Sequence, residues 1–320
     1  MTKLYIIGNG FDLHHNLPTS YIGFRKYLES HAPTLLSELE KVIFYSPDDK
    51  DIWSNFEENL AYIDMDFLDE SICEYIPSPS SDDYFKDIDY CYRLAEDMVS
   101  NLTENLRKVF SRYICEANSC AIEKDTLINV TTDSKFISFN YTKTLETQYG
   151  ISSSNILYIH GTFESDENII LGHAVEPDLC FEEKQEATMP TGLSTYEQEQ
   201  WYDYMSDQYV PFLEEARQKL VSYYIKSFKN SAEIIVENND FFSSLKGIRH
   251  IYILGHSMSE VDIDYFERIK SCTSCNCRWI VSYYSESEKE ILKKTLIGLG
   301  LNEEGFKLIK LNDLLKNKLS

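Results

Sequence analysis

The sequence has no long apolar run and little positive charge. No apolar stretch approaches the roughly 18–20 residues that a helix needs to cross a bilayer. The 53 Asp and Glu residues outnumber the 30 Lys and Arg residues, and the formal net charge is −23. Because nucleic acid binding depends chiefly on clustered Lys and Arg, this charge disfavours nucleic acid as a partner. The sequence also begins without a charged and then apolar leader, so we expect a cytoplasmic protein with no membrane partner.

The eight cysteines form neither a disulfide framework nor a complete zinc motif. Reduced thiols are the default in a chain of this size without a leader. The closest spacing is Cys272-x-x-Cys275-x-Cys277, which resembles half of a zinc site. A structural zinc site needs four ligands, commonly in two pairs, and no second pair follows. We therefore expect no metal, and the sequence assigns this cysteine cluster no role.

Residues 4–12 read Leu-Tyr-Ile-Ile-Gly-Asn-Gly-Phe-Asp, which is an apolar run that ends in two glycines and a carboxylate. Such a run is typical of a buried parallel strand that leads into a helix at a nucleotide site. Glycine there permits a tight turn and lets phosphate or ribose approach the backbone. The third glycine of the dinucleotide fingerprint is missing, since position 13 is Leu. The turn alone therefore indicates a strand-to-helix connection as readily as a ligand site.

Three further apolar runs end in glycine or polar residues. They are residues 135–139 before Asn140, residues 156–159 before His160 and Gly161, and residues 250–254 before Gly255, His256 and Ser257. Helical patterns separate these runs, which predicts an α/β fold with a doubly wound, mainly parallel sheet. Ligands of such sheets bind beyond the carboxyl ends of the strands. We therefore expect these residues to meet the first turn, which consists of Gly8, Asn9, Gly10, Phe11 and Asp12, at one rim.

The sequence between the first two strands is helical. Residues 52–68 and 88–113 carry apolar side chains at alternating spacings of three and four, which is typical of amphipathic helices. We predict that residues 34–120 form a helical insertion subdomain. The remaining residues, 1–33 and 121–320, then form the α/β domain.

Several segments resemble the AbiH abortive-infection family of bacterial phage-defence proteins. They are IIGNGFDLHHNLPTSYIGF, WSNFEENL, SFNYTKTLE, YIHG and YILGHSMSEVDIDYFERI, and the likeness extends from residue 3 to about residue 284. That family is grouped with the sirtuin-like NAD-binding superfamily. The resemblance therefore implies a Rossmannoid, sirtuin-like fold and an effector of phage defence that binds NAD.

The sirtuin-like pattern can be matched residue by residue. It falls on Gly8 with Gly10 after the first strand, on Asn140, on His160, and on Gly255 with Ser257. The four-cysteine zinc module of sirtuins that deacylate lysine is missing, since only Cys180 lies in the corresponding region. Asn140 is followed by Tyr-Thr, closer to the Asn-Tyr-Asp of defence-type domains. The resemblance thus implies NAD cleavage without a lysine acceptor.

The implied reaction hydrolyses NAD to nicotinamide and an ADP-ribose product through an oxocarbenium-like ribose. The protein must hold the ribose, exclude bulk water and position one water. His160 is then the base, and Asn140 positions the ribose hydroxyls. Asp12 accepts from a ribose hydroxyl or stabilises positive charge on the sugar. We expect the backbone N–H groups of residues 8–10 to face the pyrophosphate, with His256 lining the pocket.

Each of these residues also has a structural alternative. The glycines suit a tight turn, Asn140 suits a helix cap, and His160 suits a hydrogen-bonded structural role. The motif Ser259-x-x-Asp262 is typical of a capping box, in which Asp262 stabilises a helix amino terminus. A ribose contact by Asp262 is the second interpretation.

Two other functions stay open at this stage. A non-catalytic nucleotide sensor that regulates a partner would keep the glycine turn but tolerate the loss of His160. A nucleotide- or nucleic-acid-processing toxin would need clustered carboxylates or basic residues at the strand ends, and we identify neither. An NAD hydrolase must be held silent, and the helical insertion and the polar residues 172–200, a predicted loop or lid, are candidates for that control. Besides a small nucleotide, the candidate partners are a second copy of the chain and a regulatory or phage protein.

Overall fold

A computed structural model of the chain describes residues 2–43, 53–78, 80–180, 189–208 and 211–316. The strands in these ranges are β1 (Lys3–Ile7), β2 (Lys135–Ser138), β3 (Ile156–Tyr158), β4 (His250–Leu254), β5 (Arg278–Ser282) and β6 (Phe306–Ile309). The α-helices are α1 (Asn9–His14), α2 (Tyr21–His31), α3 (Pro33–Val42), α4 (Phe56–Asn59), α5 (Met65–Cys73), α6 (Tyr84–Ser100), α7 (Leu106–Asn118), α8 (Thr144–Tyr149), α9 (Pro177–Cys180), α10 (Thr195–Gln208), α11 (Pro211–Lys226), α12 (Ser231–Glu237), α13 (Asn239–Ser243), α14 (Ile263–Cys272) and α15 (Glu286–Gly298).

The strands form one parallel sheet in the order β3-β2-β1-β4-β5-β6. β1 lies at the centre, where Ile6 is in register with Ile137 of β2 and with Ile253 of β4. The chain runs outward in one direction through β2 and β3 and in the other through β4, β5 and β6. This reversal opens a crevice beyond the carboxyl ends of β1 and β4, which is the position where ligands bind in open α/β sheets.

Helices cover both faces of the sheet, because its strands are apolar on both sides. On one face, Leu4 and Ile6 pack against α12, α13, α14 and α15. On the other face, Tyr5 and Ile7 pack against Phe11 of α1 and Leu145 of α8. The predicted doubly wound α/β fold is therefore confirmed.

A helical layer stands beside the sheet and has its own apolar core. Helix α6 continues into α7 through a π-helical turn at Asn101–Asn105, and α11 packs along α6. The core of this layer contains residues of α3 to α7 and also of α2 and α11, which lie outside the predicted insertion. The insertion as a separate subdomain stays a prediction.

The predicted loop at residues 172–200 contains α9 and the beginning of α10, while residues 181–188 lie outside the described residues. His173 forms a parallel bridge with Phe228, which ties the start of this stretch to the end of α11. Its role as a lid stays a prediction. Among the helices described, none combines the length and the apolar character that crossing a membrane would require.

Candidate active site

A cavity of about 850 Å³ lies at the carboxyl ends of the strands, where the strand order reverses. The helical layer contributes part of its wall through residues 54–58. Nine of the eleven predicted site residues line it: Gly8, Asn9, Gly10, Asp12, Asn140, His160, Gly255, His256 and Ser257. The strand ends predicted to converge therefore do so.

Two predicted binding residues lie elsewhere. Phe11 is completely buried on the underside of the turn, with its ring centroid 4.6 Å from that of His15 and 5.6 Å from that of Tyr149. Gly161 has a φ of +75°, and a Cβ there would overlap the backbone of Asn168. Phe11 therefore belongs to the core and Gly161 shapes the turn after β3, so the predicted ligand contacts of these two residues are not supported.

The glycines of the first turn pack against the loop after β4. A Cβ on Gly8 would stand 2.6 Å from the Cα of His256, and a Cβ on Gly10 would stand 2.9 Å from the Cα of Gly255. Gly255 itself has a φ of +66° and faces the backbone of residues 10 and 11. Because these glycines have no side chains, the turn after β1 and the loop after β4 can pack closely together. This packing positions His256 at the cavity wall.

The backbone amides of this turn are used inside the protein. The Gly8 N–H donates to the Leu254 carbonyl at 3.1 Å, and the Gly10 N–H donates to the Gly255 carbonyl at 2.7 Å. The side chain of Asn9 is engaged as well, since its Oδ1 accepts from the Thr19 hydroxyl at 2.6 Å. The prediction that the backbone N–H groups face a pyrophosphate is therefore wrong for Gly8 and Gly10, because both N–H groups already donate to backbone carbonyls.

Asp12 is fixed at the floor of the cavity and only 1% exposed. Its Oδ2 accepts a hydrogen bond from Thr142 at 2.6 Å, and its Oδ1 accepts one from Thr144 at 2.9 Å. Burial raises the pKa of Asp12 to about 6, and the hydroxyls of Thr142 and Thr144, together with the side chain of Asn140, limit that rise by stabilising the charged form. The carboxylate is therefore held in one orientation by its own protein.

Asn140 presents a buried side chain to the cavity. Its amide nitrogen lies close enough to Asp12 to help lower the pKa of that carboxyl, but neither the nitrogen nor the oxygen makes a hydrogen bond of good geometry within the described residues. Asn140 does not cap a helix, because α8 begins after Lys143. The Lys143 N–H donates instead to the side-chain oxygen of Asn118 at 2.9 Å. A buried amide with its donors and acceptor unused is costly, and a ligand in the cavity would satisfy it.

Asp262 lies between the two predicted histidines. Its Oδ1 is 3.6 Å from Nε2 of His160, and its Oδ2 is 3.5 Å from Nε2 of His256. The Met258 N–H donates to Nδ1 of His256 at 2.9 Å, so His256 presents a protonated Nε2 to Asp262. Within the described chain, Nε2 of His160 and Oδ1 of Asp262 have no hydrogen bond. Both atoms are therefore available to hydrogen-bond a group bound beside them in the cavity.

Burial sets the protonation of this group. It raises the pKa of Asp262 to about 7, although the nearby charge of Lys229 lowers it in part. It also lowers the pKa of His160 well below its ordinary value and that of His256 to about 3. Near neutral pH both imidazoles are neutral and Asp262 exchanges a proton, so the three side chains can take up one proton from a bound group.

The interpretation of Asp262 as a capping residue is wrong. Asp262 is the first residue before α14, but its side chain makes no hydrogen bond to the amino terminus of that helix. Ser259 likewise caps nothing through its hydroxyl. The Asp262 side chain turns instead toward the two histidines, which lie in the turn after β3 and in the loop after β4.

Glu57 brings the helical layer into the site. Its Oε1 accepts from the Tyr141 hydroxyl at 2.9 Å, and its Oε2 accepts from Nζ of Lys229 at 2.8 Å. Lys229 is only 2% exposed, so the two charges compensate each other in a buried position. The sequence analysis identified neither Glu57 nor Lys229 as a site residue. Glu57 lies in WSNFEENL, one of the segments that resemble the AbiH family, and that resemblance could have indicated it.

Metal binding finds no support in the described ranges, where no three His, Cys, Asp or Glu side chains are grouped to hold an ion. In the cysteine cluster, Cys272 is half-buried, Cys275 is exposed and Cys277 is buried.

Comparison with known proteins gives one family. The family model described as Bacteriophage abortive infection AbiH matches residues 4–283, which include β1 to β5 and the cluster around Asp262. No curated protein and no solved structure matches the chain.

Proposed function

The chain belongs to the AbiH family of bacteriophage abortive infection proteins, and we propose that it acts in this role by hydrolysing NAD in the cavity at the strand ends. One observation carries the proposal. Asn140, His160 and Asp262 direct buried polar atoms without partners, among the described residues, into the same cavity. Such atoms destabilise a fold by about 1–3 kcal/mol each, so they suit a site that a polar ligand completes.

In the proposed reaction, the oxygen of one water bonds to the ribose carbon that carries nicotinamide. The carbon–nitrogen bond breaks, and its electron pair passes to the nicotinamide ring, which neutralises the pyridinium charge. Asn140 holds the ribose hydroxyls, and His160 takes the proton that the water loses. The carboxylate of Asp262 lies 3.6 Å from Nε2 of His160 and has the higher pKa of the two groups, so it stabilises the imidazolium that forms and then receives its proton.

The charges around this end of the cavity favour the reaction. Positive charge develops on the ribose as the bond breaks, and Asp12 and Asp262 both line the cavity. Fixed negative charge in a buried site stabilises such a transition state more strongly than it would in water.

Release of nicotinamide from NAD by the purified protein tests the proposal. We expect His160→Ala and Asn140→Ala each to lower kcat by about a hundredfold or more, since each removes a group that acts in the transition state. His31→Ala is the matched control, because His31 is exposed on α2 and outside the cavity; it should keep wild-type turnover. Thermal unfolding of each variant shows that the fold is retained.

Tight binding of NAD without nicotinamide release would contradict the proposal. That result would identify the cavity as the ligand site of a sensor, and loss of His160 would then leave signalling intact.

A further inference from the structure

The rim of the cavity beyond β5 carries an aromatic ring that is almost fully exposed. Tyr284 follows β5 and is 90% exposed, yet it lines the same cavity as His160. Lys310, at the end of β6, lines the cavity beside it. A single exposed aromatic ring is ordinary on a protein surface, but one that lines a cavity can stack a nucleobase.

The backbone that carries this ring is held on both sides. The Tyr284 N–H donates to the Glu288 carboxylate at 2.6 Å, and the ammonium group of Lys310 donates to the Tyr284 carbonyl. Lys310 also lies over the ring of Tyr283, 4.2 Å from its centroid. The loop is therefore fixed while the Tyr284 ring stays bare, so little conformational freedom would be lost on binding.

The sheet sets the distance between the backbone positions of Tyr284 and Asn140. Asn140 follows β2 and Tyr284 follows β5, and the order β2-β1-β4-β5 separates them by three strand spacings. At roughly 4.8 Å a spacing, the two positions are about 14 Å apart across the sheet. Two linked ribose–phosphate units span such a distance, and a single unit does not.

The charges along the cavity give the ligand a direction. Asp12, Glu57 and Asp262 line the cavity near His160, where a cationic ring would sit, and Lys229 is the cation beside them. At the other end Lys310 supplies positive charge and Glu288 negative charge. The Lys310 ammonium has three donors, of which the Tyr284 carbonyl takes one, whereas the Glu288 carboxylate accepts from the Tyr284 N–H.

We propose that Tyr284 and Lys310 form the subsite for the second nucleotide of a dinucleotide. Its base stacks on the Tyr284 ring, and Lys310 contacts a phosphate. The substrate class is a dinucleotide whose reacting half carries a cationic ring, bound with that ring at the Asn140 and His160 end. The identity of the reacting half rests on the proposed function, whereas the base subsite does not.

Kinetics with two substrates test the subsite. We expect Tyr284→Ala to raise the KM for NAD about tenfold with little change in kcat, because base stacking is lost but the reacting groups are untouched. The KM for nicotinamide mononucleotide, which lacks the second nucleotide, should not rise. Tyr284→Phe keeps the ring and should behave as wild type. Tyr62→Ala is the matched control, since Tyr62 is 70% exposed and lies outside the cavity.

Binding of ADP, measured by calorimetry, separates this inference from the proposed function. We expect ADP to bind the wild type and Tyr284→Ala to weaken it about tenfold. If that holds while NAD is not cleaved, the subsite stands and the hydrolase proposal fails. If NAD is cleaved but Tyr284→Ala leaves both the KM for NAD and the Kd of ADP unchanged, the subsite is disproved and the hydrolase stands. A wild type that does not bind ADP also overturns the subsite.

Discussion

Asp12 and Asp262 are two buried carboxylates in one cavity, and the protein treats them differently. Asp12 accepts hydrogen bonds from Thr142 and Thr144, which hold both of its oxygens. Asp262 is 8% exposed and faces two imidazoles at 3.5–3.6 Å, too far for a hydrogen bond. The hydroxyls anchor the first carboxylate, whereas the second can exchange a proton with His160 or with a group bound beside both.

The pKa values follow from the same difference. Burial raises the pKa of both groups, to about 6 for Asp12 and about 7 for Asp262. Neighbouring side-chain donors, chiefly the two threonine hydroxyls, restrain the rise for Asp12, whereas the charge of Lys229 restrains it for Asp262. The two buried acids thus differ because hydroxyl donors hold Asp12 at 2.6–2.9 Å, while Asp262 has only imidazoles at 3.5–3.6 Å.

The largest effect is expected at Asp262. Asp262→Asn removes the charge that stabilises protonated His160, and we expect it to lower kcat for nicotinamide release about a thousandfold. Asp240→Asn, in an exposed position on α13, is the matched control and should keep full activity. An active Asp262→Asn variant would show that the anchored and the free carboxylate do not differ in function.

The same variant should be more stable than the wild type at high pH. The pKa of Asp262 lies near 7 in the folded chain and near 3.8 when unfolded, so the folded state binds more protons in that window. The ionisable wild type therefore loses stability as pH rises through it, while the amide does not titrate. Urea unfolding of the wild type and of Asp262→Asn at a series of pH values measures this. We expect the difference in their free energies of unfolding to grow from pH 3.8 to about pH 7, by up to about 4 kcal/mol.

A smaller effect is expected at the anchored carboxylate. Thr142→Val removes one donor from the Asp12 carboxylate and should lower the free energy of unfolding by about 1–3 kcal/mol. Thr142→Ser keeps the hydroxyl and should lose less. Urea denaturation at pH 8, where Asp12 is ionised, measures both. Equal stability of the two variants would mean that the hydroxyl does not hold Asp12.

Much of the fold could be predicted from local patterns. Apolar runs that end in glycine or polar residues identified β1, β2, β3 and β4. Parallel packing then brought Asn140 and His160 to one cavity. These predictions succeeded because strand period and strand ends are properties of neighbouring residues.

The parts that failed depend on residues far apart in sequence. Asp262 has the spacing of a helix cap, but in the fold its carboxylate lies 3.6 Å from Nε2 of His160, a residue that follows β3 and is far away in sequence. Glu57 and Lys229 meet across the helical layer, which no local pattern indicates. The glycine turn was expected to leave room for phosphate, but the loop around Gly255 fills that space.

The pH dependence of kcat/KM for nicotinamide release tests the central claim most directly. Ionised Asp262 is required beside His160, so the wild-type value should rise with pH and level off above about 7, which is the pKa of that carboxyl. The residual activity of Asp262→Asn should lack this rise. An identical pH profile in both proteins, or no nicotinamide release by the wild type at any pH, would contradict the account.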